Sequence, residues 1–487
     1  MASRKDQLHS YQFMIQRVVA ALVMRETDPA QSPFRRAAGA IFAGVMVAAI
    51  AVAGFAIYGL WDPGGNMRWK TWSDQNKGKP VAVIEEETGA AYVYQAGILY
   101  PVENFTSAVL WGSRDQSGEP YFVSRESLVG AQLRVGPRLG IPGAPDSLPS
   151  QENLTDEDWT LCSQPTPQVQ QPQEPGELET LMVVGGTPSP KRHVAGEGVM
   201  LVNEKETGIK YLIYKSHRLK IIAEHQEATF NAFGLDSIAM VDVGTAWLSA
   251  LPVGQDIEPL TIKGAGEPSS VLTGATVGTV YRVDGVDRFY VALKDKFAVL
   301  RPFQAKLLEA STGEQPAPLS AASVGETSQE YLPENVEPGV QVPPEASQLH
   351  LERPDPEKAT CAIFQDNGEP PTMVYDGSMA VYDAYGEHTP VRDSEGKQLA
   401  NRVIVVKGKG ALVRTSEDRD ATAGSTLGLV TDTGKFYPLS SEEVVSKLGY
   451  NPKTVHRGWM PIGLVERLQM GPTLDPDAVW EPVTLVN

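Results

Sequence analysis

The feature that most constrains this chain is an uncharged apolar run, AAGAIFAGVMVAAIAVAGFAIYGLW, over residues 37–61. A hydrocarbon core of about 30 Å takes about 20 apolar residues as helix, so the run is long enough to span a bilayer. In hydrocarbon the backbone must bond internally, and a helix does so. The competing readings are a cleaved signal peptide and the buried helix of a soluble core. A signal peptide's apolar region is shorter, about 7–15 residues. The cleavage-like triplet Ala51-Val52-Ala53 lies inside the run rather than after it. A membrane anchor therefore fits best, with Tyr58, Trp61 and Trp69 expected at the water interface.

The flanks set the expected orientation. Residues 1–36 carry Arg4, Lys5, Arg17, Arg25, Arg35 and Arg36 against Asp6, Glu26 and Asp28. Arg35 and Arg36 abut the apolar run and mark one membrane boundary; Trp61 marks the other. The positive-inside tendency puts the N-terminus in the cytoplasm and everything after Trp61 outside. That outer part has 36 basic residues (42 less six) and 57 acidic (60 less three), a net of −21. So acidic a surface disfavours nucleic acid as a partner. In the cytoplasmic piece, Leu8, Tyr11, Ile15, Val18 and Leu22 alternate in spacings of three and four. That is one stripe of a helix, available to a partner or to the membrane surface. TDPAQSP (27–33) is expected to break it before the span.

Beyond the anchor, one pattern recurs. YVYQAGILYPVEN (92–104) aligns without a gap to LVTDTGKFYPLSS (429–441). Each reads as strand, turn and strand, followed by a helix. Asn104, with Thr106 and Ser107, can cap the first of these helices. Weaker copies begin at Thr207 and Asp287, with FTSAVL, EATFNAF, FQAKLL and EEVVSKL as the following helices. Gly97, Ser216, Asp295 and Gly434 fall at corresponding turns. Gly and Asp suit a positive φ there, and Ser suits it less. The irregular starts exclude a solenoid of fixed period. The first and fourth copies are expected to lie beside one another. The segments 196–203 and RVIVVKGKGALVR (402–414) read as β, the latter as strand, Gly-rich turn and strand. Polar Pro/Gln segments read as connectors.

Motifs for chemistry are missing. Gly434-Lys435 resembles the end of a phosphate loop, but Leu429 stands where its first glycine belongs and Phe436 where its hydroxyl belongs. Glu85-Glu86-Glu87 reads as solvated surface, as most acidic runs do. Two cysteines form no metal-ligand spacing. Outside the cell Cys162 and Cys361 could be bridged; otherwise they are two buried thiols. No catalytic residue, metal or cofactor is expected.

Taken in order, SRKDQLHSYQF, the apolar helix running into WDPGG, LYPV, GPRLGIPGAPDSLP, DWTLC around Cys162, YVAL…PFQAKLL and GALVR…TDTGKFYPL…LGY resemble EccB, the membrane-anchored component of actinobacterial type VII (ESX) secretion systems. The resemblance covers nearly the whole chain. It implies an α+β fold: one N-terminal transmembrane helix, then an elongated extracytoplasmic β-rich core carrying four small β-meander/helix modules. It implies a core disulfide at Cys162 and Cys361. The implied partners are EccC, EccD, EccE and mycosin-type subunits, further EccB copies and membrane lipid. The implied role is a structural subunit organising the outer side of the secretion complex. A peptidoglycan-binding envelope anchor is the alternative; some relatives are described as ATPases, but the lack of a phosphate loop leads us to expect no enzyme. The expected division is 1–36 cytoplasmic helix, 37–61 span, 62–135 module one, 136–195 core segment with Pro-rich linker, 196–250 module two, 251–312 module three, 313–422 core segment with linker, 423–470 module four and 471–487 tail.

Overall fold

The computed structural model describes residues 4–24, 33–61, 66–112, 119–166, 177–324 (except 190, 195–197, 237, 239, 284, 286 and 287), 332, 340–345, 349–382 and 386–481 (except 422). Helix α1 (Arg4–Met24) precedes α2 (Pro33–Trp61). The break expected over 27–33 falls outside the described residues until Pro33. Proline suits a helix's first turn because its missing N–H would be unpaired there anyway. The helix therefore starts four residues ahead of the expected span.

Module one opens with α3 (Arg68–Gln75) and folds as a meander of β1 (Val81–Glu85), β2 (Ala91–Gln95) and β3 (Ile98–Pro101). Helix α4 (Phe105–Trp111) crosses the sheet to β4 (Tyr121–Val123), which pairs parallel to β1. A short α5 (Arg125–Gly130) follows, and β5 (Arg134–Val135) adds beside β3. As expected, Asn104 caps α4, accepting from Ser107 N–H at 2.9 Å. Its Nδ2 also donates to the Ile141 carbonyl at 2.8 Å. Asn104→Ala should lower stability by about 1–2 kcal/mol, read from the thermal unfolding of the purified chain; an unchanged transition would remove the cap's role.

The chain then supplies β6 (Trp159–Pro165), β7 (Leu178–Val184) and β8 (Arg192–His193) to a central sheet. Module two is β9 (Gly198–Glu204), β10 (Lys210–Tyr214), β11 (His217–Lys220), α6 (Gln226–Phe233), β12 (Val241–Val243) and α7 (Thr245–Ser249). Module three is β13 (Val280–Val283), β14 (Phe289–Ala292), β15 (Phe297–Leu300), α8 (Pro302–Thr312), β16 (Ala317–Leu319) and α9 (Ala321–Val324). Strand β17 (His350–Leu351) returns to pair with β9. The central sheet is completed by β18 (Ala359–Phe364), β19 (Thr372–Gly377), β20 (Glu387–His388) and β21 (Arg402–Val405). Module four is β22 (Ala411–Ser416), β23 (Thr426–Val430), β24 (Lys435–Pro438), α10 (Glu443–Lys447), β25 (Gly458–Pro461), α11 (Ile462–Val465) and β26 (Gln469–Met470).

All four modules share one topology: three antiparallel strands, a crossing helix, a fourth strand parallel to the first, and a short helix. Two sheets extend past the limits read from the sequence. Module three's sheet runs on to Leu319, beyond 312, and module four's begins at Ala411, ahead of 423. The segment RVIVVKGKGALVR is not a hairpin. Its first strand, β21, pairs with β7 in the central sheet, and its second, β22, belongs to module four. Strand β21 is buried throughout and β22 at every residue but Arg414, so their pattern alone could not say which sheet holds them.

Packing follows the crossing helices. Helices α4 and α10 meet, and Leu110, Val109, Leu412, Leu429, Tyr437 and Val445 share one core. At its edge the rings of Trp111 and Trp480 meet with centroids 4.3 Å apart, tilted by 56°. The first and fourth copies thus do lie side by side. Helices α6 and α8 meet in the same way, joining modules two and three through Phe233, Leu212, Phe303 and Leu307. One face of the central sheet, with Trp159, Met182 and Val403, takes Trp247 and Leu248 of α7 together with Leu464 and Val465 of α11. The packing order is module three, module two, central sheet, module four, module one.

Candidate membrane-anchored assembly site

Within α2, residues Ala38–Tyr58 form a helix long and apolar enough to cross a membrane, and none of its most apolar stretch is buried by the protein. A soluble core helix would be covered; this one leaves Phe55 77% exposed. Arg35, Arg36 and Trp61 lie on the α2 backbone, with side chains outside the described residues. Trp69 departs from its expected interfacial place. It is fully buried, its Nε1 donating to Ser127 Oγ at 3.1 Å and its ring edge-on to Tyr94 at 5.1 Å. Burying so large a ring in module one's core outweighs any interfacial preference. On α1 the stripe Leu8, Tyr11, Ile15, Val18 and Leu22 is exposed along its length.

The four turn residues sit where the second and third strands of each module meet. Ala96-Gly97 closes module one with φ of 50° and 85°, and Lys215-Ser216 closes module two with 47° and 63°. A two-residue type I′ turn matches strand twist with both φ positive, so Ser216 accepts the conformation it suits less well. Asp295, expected to suit it, keeps a negative φ. Its ladder ends at Ala292–Phe297, leaving a four-residue connection in which Leu293 N–H donates to the Lys296 carbonyl at 2.8 Å, and Ser270 N–H donates to the Lys294 carbonyl at 2.8 Å. Gly434 (φ 70°) ends a three-residue turn, so the gapless alignment hides one extra residue: Tyr92 pairs with Pro101, but Gly428 pairs with Pro438.

Two further repeated devices escaped the sequence reading. Val135-Gly136, Val253-Gly254 and Met470-Gly471 each pair beside the third strand of modules one, two and four. A Cβ on Gly136 or Gly471 would meet the ring of Tyr100 or Tyr437 at 2.5 or 2.3 Å, so these positions admit only glycine. The acidic run is not all solvated surface. Glu85 is buried and accepts from Thr88 Oγ1 at 2.6 Å, and Glu87 accepts from Arg125 N–H at 3.0 Å, at the start of α5. In module two Glu204 and Glu206 repeat this with Thr207 and with Thr245, at the start of α7. The helix N-terminus favours a carboxylate there.

The other face of the central sheet carries the covalent tie. Cys162 on β6 and Cys361 on β18 are directly opposed and bonded, S–S 2.06 Å. On the same face Arg402 and Glu179 form a buried bidentate pair, Nε–Oε1 2.6 Å and Nη2–Oε2 3.1 Å. Arg402 is 1% exposed, and its Nη1 also donates to the Tyr382 carbonyl at 2.8 Å. Gln164 Nε2 approaches Glu179 Oε2 at 3.3 Å. The pair and the disulfide fix β6, β7, β18 and β21, four neighbouring strands, by links across 223 and 199 residues of sequence.

The titrating groups describe packing rather than chemistry. Burial pushes the Tyr437 hydroxyl up and the Arg467 guanidinium down. The hydrogen bond from Tyr375 to Glu352, with burial, pushes that hydroxyl up as well. Among the described residues no cluster of His, Cys, Asp and Glu could hold a metal. A cleft of about 940 Å³ between Gly254–Gly264 and the Lys294-Asp295 turn is lined by charges of both signs, with no histidine or cysteine. Gly434-Lys435, the phosphate-loop-like pair, runs into strand β24 rather than a helix, so its amides do not form the anion cradle of a helix N-terminus.

The family described as "Type VII secretion system ESX-1, transport TM domain B" matches residues 1–482. The chain belongs to the EccB family. Its relatives include the "ESX-3 secretion system ATPase EccB3" of Mycobacterium tuberculosis, 25% identical over 99% of this chain and 90% of that protein. The "ESX-1 secretion system ATPase EccB1" of Mycolicibacterium smegmatis is 26% identical over 97% and 94%. Among solved structures, a chain of an intact ESX-5 inner membrane complex matches with a TM-score of 0.56 at 21% identity, covering 100% of this chain and 96% of that one. A chain of the EccB3 dimer from the ESX-3 core complex matches with a TM-score of 0.56 at 23% identity, covering 82% and 100%. Both chains share the α+β fold described above.

Proposed function

We propose that this chain is a membrane-anchored structural subunit of a type VII secretion inner-membrane complex. The observation that carries the reading is the EccB-family match over residues 1–482 in a chain whose one span-length apolar helix among the described residues is left uncovered. In this reading residues 1–36 lie in the cytoplasm, α2 crosses the membrane, and the modules organise the far side. The exposed stripe on α1 docks a cytoplasmic-side partner. EccC, EccD, EccE and mycosin-type subunits, and further EccB copies, are the proposed neighbours. The relatives seen in an ESX inner membrane complex and as a dimer support that assembly. The domain limits given above belong to the same proposal, with modules three and four extended to the strands described.

The role is structural rather than catalytic, although relatives carry "ATPase" in their names. Its support is the packing-dominated chemistry of the body and the hairpin setting of Gly434-Lys435. Purified chain should therefore hydrolyse ATP no faster than a Lys435→Ala variant, both at background; turnover abolished by that substitution would reverse the assignment. Topology is tested in intact cells with a membrane-impermeant thiol reagent, since both native cysteines are bonded. Lys306→Cys should label and Ser10→Cys should not. Labelling of Ser10→Cys alone would invert the orientation.

A further inference from the structure

In modules two and four, the short helix after the fourth strand is buried. Helix α7 places Trp247 and Leu248, and α11 places Leu464 and Val465, into the core shared with the central sheet. The counterpart in module one is α5, and it has a different setting. Only Ser127 of α5 is buried, and Val129 is 69% exposed. The module-one sheet is covered on one face by α4 and module four. Its other face is covered by Trp69 of α3 and by Leu128, Ala131 and Leu133. Among the described residues the α3–α5 layer is therefore the outermost on that side of the body.

That layer is also where the chain leaves the span. Helix α2 ends at Trp61 and α3 begins at Arg68, a link of six residues. At most about 3.6 Å per residue, the link keeps the start of α3 within roughly 25 Å of the helix end. Ser127 Oγ bonds the Asn66 carbonyl at 2.8 Å, so α5 is held at the same point. Beside it Phe122 on β4 is 47% exposed, flanked by Met67 and Trp72. The first stretch of the body is basic in an acidic protein: residues 66–80 carry Arg68, Lys70, Lys77 and Lys79 against Asp74.

Resting on the reading of α2 as a membrane span, we propose that the α3–α5 layer is a bilayer-facing surface. Phe122 and Val129 enter the interfacial zone, and Arg68 and Lys70 meet anionic lipid phosphates. Exposed Phe122 and Val129, with Arg68 and Glu119 sharing the groove of Phe122 and a basic helix α3 tethered by six residues to a span, suit an interfacial contact. The contact would set the tilt of module one, and through α4 and α10 that of module four, relative to the membrane.

The test uses the full chain in nanodiscs of phosphatidylethanolamine and phosphatidylglycerol, with a spin label at Val129→Cys, at Phe55→Cys in the span and at Lys306→Cys in module three. Collision with oxygen, enriched in lipid, is compared with collision with a water-soluble nickel chelate. The Val129→Cys label should favour oxygen as the Phe55→Cys label does, and the Lys306→Cys label should favour nickel. Arg68→Gln with Lys70→Gln should reduce the docked-to-free ratio by roughly fivefold per charge, at about 1 kcal/mol each. A Val129→Cys label as nickel-accessible as the Lys306→Cys label would overturn the proposal. Shielding from both quenchers would also overturn it and assign the face to protein, a second copy included. Nickel access at Phe55→Cys would instead overturn the span reading beneath it.

Discussion

Replacing Arg402 with methionine should destabilise the central sheet by about 3–5 kcal/mol, the magnitude for a buried ion pair broken from one side. Glu179 would keep its charge in a site 6% exposed, with Gln164 at 3.3 Å its remaining described side-chain donor. The Tyr382 carbonyl would lose its guanidinium as well. The expected readout is an earlier denaturant transition, followed by the fluorescence of Trp159 and Trp247 in the core beneath. The double variant Arg402→Met with Glu179→Leu should recover most of the loss, because well-packed apolar residues replace buried pairs at little net change. A single variant as stable as the parent would show that Glu179 is solvated or protonated at no cost. That would contradict the part given to this pair in holding β7 to β21.

Removing the disulfide should have an effect of similar size. Cys162 and Cys361 close a loop of 199 residues containing all of modules two and three. Constraining the unfolded chain over so long a loop stabilises by about 5 kcal/mol in the chain-entropy model, and measured losses run at about 2–5 kcal/mol. Cys162→Ser with Cys361→Ser should therefore unfold at markedly lower denaturant than the parent, and the parent with reductant should move to the same place. Coincident transitions for oxidised and reduced parent would mean that the central sheet holds β6 to β18 without the bond. The sheet ladder at that point runs from Thr360–Ser163 to Phe364–Trp159, so the bond reinforces an interface already paired.

Local signals in the sequence were readable where one segment determines its own shape. The hairpin turns of modules one and two, the Asn104 cap and the four crossing helices belong to this class, since each depends on residues within a few positions. The fourth strand of each module does not. Tyr121–Val123 and Val241–Val243 are three residues long, and their pairing is parallel to a strand nearly 40 residues earlier. The assignment of β21 and β22 to different sheets is likewise set by distant packing. Glu87 read as surface because its role depends on a helix start almost 40 residues later, at Arg125. One missed signal was available: Val-Gly or Met-Gly, followed three residues later by Leu or Ile, stands 37–39 residues after the turns at Gly97, Ser216 and Gly434. Its spacing marks the added edge strand of three modules. The Arg402–Glu179 pair left no trace, because its partners are 223 residues apart.

The anchor and the body together make the central claim, and one purification tests it. The intact chain and a chain lacking residues 1–61 are expressed side by side, affinity-purified from solubilised cells, and their companions identified. The account predicts that the intact chain comes from the membrane fraction with EccC, EccD, EccE and mycosin-type subunits. It predicts that the shortened chain is soluble, retains the disulfide, and brings none of them. A shortened chain that still carries the membrane subunits, or an intact chain that comes alone, would contradict it.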